Sequence, residues 1–170
     1  MPPPLLIDPA KYDNIPVMAD EDEVRRIIPH RFEMLHLNGV LSIDNSQQLI
    51  VGFKDVREDE FWVRGHFPNY PILPGVIMCE AAAQLLCYYA VVNKVMLGSL
   101  LGLGGIDKAR FRGAVRPGDR LVIAAKGIRV DRRQTIFESQ GFVNGNLAFN
   151  CEVIGVPIPG RNVMTEANNA

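Results

Sequence analysis

The sequence predicts an α+β domain in which an antiparallel sheet surrounds a single buried helix, and three observations predict it. The one long helix-forming segment, residues 76–94, is apolar almost all round, which is typical of a helix that is buried on every side. Strand-like runs lie on both sides of this segment without alternating helices, which argues against a parallel βαβ arrangement. The chain has 170 residues, a length that corresponds to one domain.

The N-terminal region predicts an arm followed by a short helix. Residues 1–19 are rich in proline, which predicts an extended or disordered arm. Asp20 and Glu23 have the spacing of an N-cap and an N3 residue, so a helix is expected to begin there. Pro29 ends this helix because proline lacks a backbone N–H and restricts the residue before it. We place the folded domain at residues 20–156 and a polar tail at residues 157–170.

The segment that leads to the long helix predicts strands and then a stiff loop. Two strand-like runs within residues 36–56 flank a turn at residues 44–46, which predicts a hairpin. Phe61–Val63 predicts a third short strand. Residues 66–75 contain three prolines and predict a stiff loop. Pro74 suits the first position of the helix.

The second half of the chain predicts a larger group of strands. After a glycine-rich connection at residues 98–105, strand-like runs follow at residues 106–115, 119–130, 135–143 and 146–155. Asn144-Gly145 lies between the last two runs and is a strong hairpin signal. An antiparallel sheet wrapped around a central helix satisfies this order of elements, and this arrangement is the hot-dog fold.

The net charge of −1 does not indicate any class of binding partner, but the charge is uneven along the chain. Residues 1–24 are acidic, whereas residues 107–133 carry nine Lys or Arg. The basic half could present a positive patch to an acidic partner. No interleaved aromatic residues or known module accompany it, so nucleic-acid binding is not predicted.

Cysteine usage and hydropathy indicate a soluble, cytoplasmic protein. The three cysteines form no CxxC pair, so neither a disulfide framework nor a zinc site is predicted. The N-terminus lacks a basic start and a long apolar stretch, so no secretory signal is predicted. The longest apolar stretch, residues 76–92, is interrupted by Glu80 and Gln84, so no membrane span is predicted.

Two ionisable residues stand out by their context. His66 opens the proline-rich loop, and Glu80 lies in the second turn of the apolar helix. Burial disfavours the charged form of a carboxylate, so a protonated Glu80 could donate a proton near neutral pH. Histidine can accept a proton in the same pH range. The two residues form a candidate acid–base pair that would need neither a metal nor an organic cofactor.

The start of the helix supplies a third element, at Gly75 and Val76. Free N–H groups and the positive end of the helix dipole favour developing negative charge there. A thioester carbonyl bound to the Gly75 N–H would be stabilised as an enolate after removal of an α-proton, as in an oxyanion hole.

The string GHFPNYPILPGVIMCEAAAQ resembles the signature of 3-hydroxyacyl-[acyl carrier protein] dehydratases of the FabZ type. The interval of fourteen residues from His66 to Glu80 matches this signature, and the segments IIPHRF and GIDKARFRGAVRPGDRL resemble its flanks. The resemblance covers roughly residues 20–155. The related FabA type typically carries aspartate at the helix position, so Glu80 favours the FabZ type.

The resemblance implies a hot-dog homodimer, often assembled as a trimer of dimers, that acts on acyl carrier protein with a phosphopantetheine-linked acyl chain. It implies dehydration of (3R)-hydroxyacyl thioesters to trans-2-enoyl thioesters in fatty-acid biosynthesis. His66 of one chain would be the base at C2, Glu80 of its neighbour the acid for the C3 hydroxyl, and Gly75 the carbonyl donor. Gln84 follows Glu80 by one helical turn and either orients its carboxylate or is a satisfied core amide.

The chain departs locally from the family pattern. Where the family usually reads HRYPFLLVDRV, this chain reads HRFEMLHLNGV. The departures at Glu33, His36, Asn38 and Gly39 leave the motif pair intact. They bear on chain-length preference and on packing near this strand.

Other interpretations stay open from the sequence. A hot-dog acyl thioesterase could use a helix carboxylate and release a free thiol, and a non-catalytic acyl-binding subunit could keep the motif. His30 and His36 are interpreted as structural. Lys108, Arg110 and Arg112 alternate along a strand and would share one face. They form either a solvated edge or a dock for the acyl carrier protein and its phosphopantetheine phosphate.

Overall fold

A computed structural model describes residues 3–95 and 99–158. The described part contains two α-helices, two short 3₁₀ turns at Pro9–Tyr12 and Phe32–Met34, and six strands. In chain order the helices and strands are α1 (Glu21–Ile27), β1 (Gly39–Asp44), β2 (Leu49–Asp55), α2 (Gly75–Val92), β3 (Leu100–Phe111), β4 (Arg120–Val130), β5 (Thr135–Val143) and β6 (Asn146–Ile158).

The strands form one antiparallel sheet in the order β1-β2-β4-β5-β6-β3, and α2 lies against one of its faces. Ala81 and Ala82 are fully buried and allow α2 to approach the sheet closely. Leu85, Phe137 and Phe149 fill the core between helix and sheet. The prediction of an α+β hot-dog fold with a central helix is confirmed.

The buried position of α2 accounts for its composition. By length and apolar character this helix could cross a membrane, but 67% of it is buried inside the domain. The apolar surface of α2 is therefore explained by its packing against the sheet, and α2 is the core helix of the domain.

Local signals in the sequence set several element ends. Asp20 caps α1 by accepting a hydrogen bond from the Glu23 N–H at 2.9 Å. In the first hairpin, Asp44 Oδ1 accepts from the backbone N–H of Ser46 at 2.9 Å. In the last hairpin, Asn144 and Gly145 both have positive φ, at 48° and 75°, as a two-residue type I′ turn requires. These three predictions are confirmed.

Residues 3–19 pack on the outer face of the sheet. Ile7 is buried among side chains of β1, β2, β4 and β5. The buried amide of Gln140 binds this segment through its Oε1, which accepts from Leu6 N–H, and its Nε2, which donates to Pro4 O. Ala19 pairs with Val40 of β1. Residues 3–19 therefore form a strap over the sheet, with little regular structure of its own.

One strand prediction and one loop prediction are wrong. Phe61–Val63 is not a strand but part of a turn, where Trp62 O accepts hydrogen bonds from Gly65 N–H and His66 N–H. Both neighbours of β2 in the sheet are already occupied, by β1 and β4, so a strand that follows it has no free edge there. The predicted glycine-rich connection at 98–105 belongs to β3 from Leu100 onwards. The predicted tail at 157–170 lies outside the described residues beyond Ile158.

Candidate active site

His66 lies in the loop before α2, and this loop holds its ring. The Nδ1 atom is 2.7 Å from the carbonyl oxygen of Ile72. Because a carbonyl can only accept a hydrogen bond, we assign the proton to Nδ1, which leaves the lone pair of Nε2 available. Backbone hydrogen bonds of 2.8 Å, from His66 N–H to Trp62 O and from Ile72 N–H to His66 O, fix the loop. The histidine is thus prepared to accept a proton through Nε2.

Gly75 and Val76 form the first residues of α2. Within the described residues, neither backbone N–H has an acceptor, whereas the next one, of Ile77, donates to Pro74 O at 2.9 Å. A Cβ atom at position 75 would lie 2.7 Å from the ring of Phe111, so any larger residue here would have to displace this ring. The start of α2 therefore offers two free donors to a ligand oxygen.

Glu80 lies inside α2 with 22% of its side chain exposed. Its Oε1 atom accepts a hydrogen bond of 2.8 Å from Nε2 of Gln84, one helical turn later. Its Oε2 atom has no hydrogen-bond partner in the described part of the chain. One oxygen of the carboxyl group is therefore held, and the other is available to a ligand.

Gln84 is fully buried and connects Glu80 to the segment before β1. Its Oε1 accepts from the backbone N–H groups of His36 at 2.8 Å and Leu37 at 3.1 Å. Its Nε2 also donates to Met34 O at 2.6 Å. These bonds, with the one to Glu80, use the whole hydrogen-bonding capacity of the amide. The orientation of Gln84 is thereby fixed, and with it the position of Oε1 of Glu80.

His66 and Glu80 make no direct polar contact with each other in the described part of one chain, residues 3–95 and 99–158. A small cavity of about 40 Å³ lies beside Glu80, between α2, β3 and β6, and His66 is not part of its lining. The same described residues contain no group of three or more His, Cys, Asp or Glu that could hold a metal ion.

Comparison with protein-family models identifies the family of the chain. Residues 28–152 match the model of the FabA-like domain. The chain belongs to the FabA-like family.

Curated members of this family are similar over most of their length. A 3-hydroxyacyl-[acyl-carrier-protein] dehydratase FabZ from Streptococcus mutans is 36% identical over 131 residues, which are 77% of this chain and 92% of that protein. The FabZ of Streptococcus agalactiae is 37% identical over the same shares of both chains. The resemblance to FabZ-type dehydratases is confirmed, and this FabA-like chain is an enzyme of the hydro-lyase class.

Solved structures share the fold of this FabA-like chain. The dehydratase heterocomplex ApeI:P from Xenorhabdus doucetiae aligns with a TM-score of 0.69 at 20% identity, covering 86% of this chain and 97% of that chain. Cj0977, a virulence protein from Campylobacter jejuni, aligns with a TM-score of 0.58 at 15% identity, covering 84% and 93%. At these identities the likeness shows the fold alone.

The sequence did not indicate that His30 approaches the carboxyl group in this FabA-like chain. Its Nε2 lies 3.5 Å from Oε1 of Glu80. Burial lowers the pKa of His30, the charge of Glu80 opposes this effect, and Arg31 adds to it. The sequence shows only that His30 follows the proline that ends α1, and no local pattern relates it to α2.

The predicted alternation of Lys108, Arg110 and Arg112 is interrupted in the FabA-like fold. A β-bulge lies between Asp107 and Arg110, and Arg112 lies beyond the end of β3. Lys108 has a positive φ of 52° and donates to Glu152 Oε1 at 2.6 Å. The extra residue of a bulge interrupts the two-residue repeat, so a common face for the three cations stays a prediction. All three residues are exposed.

Proposed function

We propose that the chain dehydrates (3R)-hydroxyacyl-[acyl carrier protein] to trans-2-enoyl-[acyl carrier protein] in fatty-acid biosynthesis. The FabZ relatives, which are 3-hydroxyacyl-[acyl-carrier-protein] dehydratases, support the reaction and the substrate. The observation that carries the proposal is that each of the two side chains has one polar atom held by a hydrogen bond and one without a partner in the described residues. The atom without a partner is Nε2 in His66 and Oε2 in Glu80.

In the proposed reaction, Nε2 of His66 removes the proton from C2 of the acyl chain. The electron pair of the broken C–H bond forms the C2–C3 double bond, and the C3–O bond breaks. Protonated Glu80 gives its proton to the departing hydroxyl, which leaves as water. Atoms and charge balance when the proton on His66 returns to Glu80, so no metal and no organic cofactor is needed.

The start of α2 stabilises the charge that develops during this step. The thioester carbonyl accepts hydrogen bonds from the N–H of Gly75, with that of Val76 adjacent, and these donors have no other acceptor in the described residues. Negative charge on the carbonyl oxygen is then compensated by fixed donors and the helix dipole. Loss of one such donor typically costs about 100- to 1000-fold in rate.

The proposed active site is shared between two copies of the chain. His66 of one protomer acts with Glu80 of the partner subunit. Within the described residues of one chain, no hydrogen bond or ion pair joins the two side chains. The exposed edge strand β3 carries Leu103, Ile106 and Phe111 with 37 to 50% exposure. A homodimer, and a trimer of dimers built from it, would cover this apolar edge.

The proposed partner is acyl carrier protein in the cytoplasm. Lys108, Arg110 and Arg112 are exposed near the end of β3, where Phe111 contacts Gly75 at the start of α2. An acidic carrier protein or its phosphopantetheine phosphate is attracted by such cations. Lys108 contributes least, because Glu152 already neutralises it.

The test is incubation of the protein with 3-hydroxyacyl or 2-enoyl carrier protein across short and long acyl chains. Formation or loss of the conjugated thioester is followed by ultraviolet absorbance, and a thiol reagent reports hydrolysis. Interconversion without free thiol is expected. Thiol release instead would identify a thioesterase, and tight binding with neither reaction would identify an acyl-binding subunit; both results overturn the proposal.

A further inference from the structure

We propose that His30 is a positioning residue, which holds Oε1 of Glu80 so that Oε2 carries the catalytic proton. The inference rests on the proposed function, because it assumes that Glu80 is the acid. It concerns the assignment of roles to the two oxygens of one carboxyl group. His30 itself does not contact the acyl chain in this role.

The first observation is that two nitrogen atoms converge on the same oxygen. Nε2 of Gln84 lies 2.8 Å and Nε2 of His30 lies 3.5 Å from Oε1 of Glu80. No described residue contacts Oε2 through a hydrogen bond. A carboxylic acid has one oxygen that accepts and one that carries the proton, so the hydrogen bond from Gln84 to Oε1, with the His30 nitrogen close to the same atom, favours the proton on Oε2.

The second observation is the environment of the other ring nitrogen of His30. Nδ1 is buried and has no hydrogen-bond partner in the described residues. A proton on Nδ1 would be a buried donor without an acceptor, which is costly. The favoured ring is therefore neutral, with its single proton on Nε2 facing Glu80.

The groups around His30 support a neutral ring. On α2 the ionisable neighbours are Glu80 and Cys87, and burial raises the pKa of Cys87 to about 12. On its own segment they are Arg31, whose charge disfavours a second positive charge, and His36, whose pKa of about 4 leaves its ring neutral at pH 7. The residues of β3 and β6 that line the same cavity carry no ionisable side chain.

The distance of 3.5 Å is longer than an ordinary hydrogen bond of this kind. Such contacts at active sites often shorten only in the complex with substrate. We therefore expect His30 to approach Oε1 when the acyl chain fills the space beside Glu80. In that state the two donors orient the proton on Oε2 towards the C3 hydroxyl.

The test compares His30→Leu, which removes the donor at similar volume, with His30→Gln, which retains an N–H donor. Dehydration of 3-hydroxyacyl carrier protein is measured from pH 5 to 10. His30→Leu is expected to lower kcat on the order of 10- to 100-fold with little change in KM, because the acid is misplaced and substrate binding is not. His30→Gln should retain most of kcat.

The matched control is His36→Gln, at a second buried histidine whose side chain lies against Lys54 and Glu60. Its kcat and KM should match those of the unmodified protein. An unchanged kcat in His30→Leu would overturn the inference. So would equal losses in His30→Leu and His30→Gln together with lowered melting temperatures, since that outcome assigns His30 to folding alone.

A spectroscopic measurement tests the same inference without activity. The chain has three histidines, so ¹⁵N NMR of the labelled rings is assignable with His36→Gln and His66→Asn variants. The inference expects a neutral His30 ring with its proton on Nε2 at pH 7. A charged ring, or a proton on Nδ1, would overturn it. Failure of the proposed function is recognised separately, as absence of dehydration in the unmodified protein.

Discussion

Nζ of Lys54 lies 2.9 Å from Oε2 of Glu60, and only 3% and 8% of these side chains are exposed. Glu60 also accepts hydrogen bonds from the N–H of Arg57 at 2.9 Å and from the indole of Trp62 at 3.0 Å. Burial acts to raise the pKa of Glu60, but Lys54 and these donors hold it below its ordinary value. Because Trp62 O accepts from His66 N–H, this buried pair supports the turn that ends at the proposed base.

Lys54→Met is expected to lower the free energy of unfolding by about 3–5 kcal/mol, because it leaves the carboxylate of Glu60 buried without its cation. The double variant Lys54→Met/Glu60→Gln should cost less than the sum of the two single variants. Denaturant unfolding measures all three. The control is Asp59→Asn, which removes an exposed pair with Arg57 and should cost less than about 1 kcal/mol. Additive costs for the buried pair would contradict this interpretation.

Acid should destabilise the fold through His36. Burial and then Lys54 lower its pKa to about 4 from the ordinary 6.5, against the opposing charge of Glu60. The folded protein thus binds this proton less well than the unfolded chain, so the contribution to stability is complete above pH 6.5 and is lost as pH falls towards 4. The contribution amounts to about 3 kcal/mol.

The measurement is the free energy of unfolding of His36→Leu and of the unmodified protein between pH 4 and 7. The variant should show a smaller decrease towards acid, and the decrease that persists includes that of His30, whose pKa is also lowered by burial. Identical slopes in both proteins would show that His36 does not titrate in this window.

The strap of residues 3–19 should contribute to stability through a few side chains. Ile7 is 8% exposed, whereas Leu5 is 55% exposed. Ile7→Ala should therefore lower the free energy of unfolding by about 2 kcal/mol, and Leu5→Ala should change it by less than about 0.5 kcal/mol. Both variants should keep their rate of dehydration, because neither residue approaches α2. Equal effects of the two variants in thermal unfolding would show that the strap is not bound in solution.

Two inactive variants should restore activity when they are mixed. His66→Asn and Glu80→Gln each remove one proposed catalytic group. A mixed dimer holds one site with both groups intact if each site combines residues of two chains, so re-equilibrated mixtures should recover about a quarter of the unmodified rate. The assay is dehydration after partial unfolding and refolding of the mixture. Mixtures that stay inactive, although mass spectrometry shows mixed dimers, would place both residues in one chain.

The local signals in the sequence predicted the fold to a large extent. The cap of α1 at Asp20, the Asn144-Gly145 turn and the apolar character of α2 each depend on residues within a few positions of one another. The spacing of His66 and Glu80 within the motif likewise selected the family. The short strand at Phe61–Val63 was wrong because its β propensity could not reveal that the sheet offers no free edge beside β2.

Sequence alone therefore determined the element types, the fold class and the chemical identity of the candidate acid and base. Only the tertiary structure decided that Nε2 of Gln84 and Nε2 of His30 lie close to Oε1 of Glu80 and that Nδ1 of His66 pairs with the carbonyl oxygen of Ile72. Gln84 binds Met34 across 50 positions of the chain. Caps, turns and helix faces follow from short-range backbone geometry, whereas contacts at such separations depend on how the strands pair and where the helix lies against them.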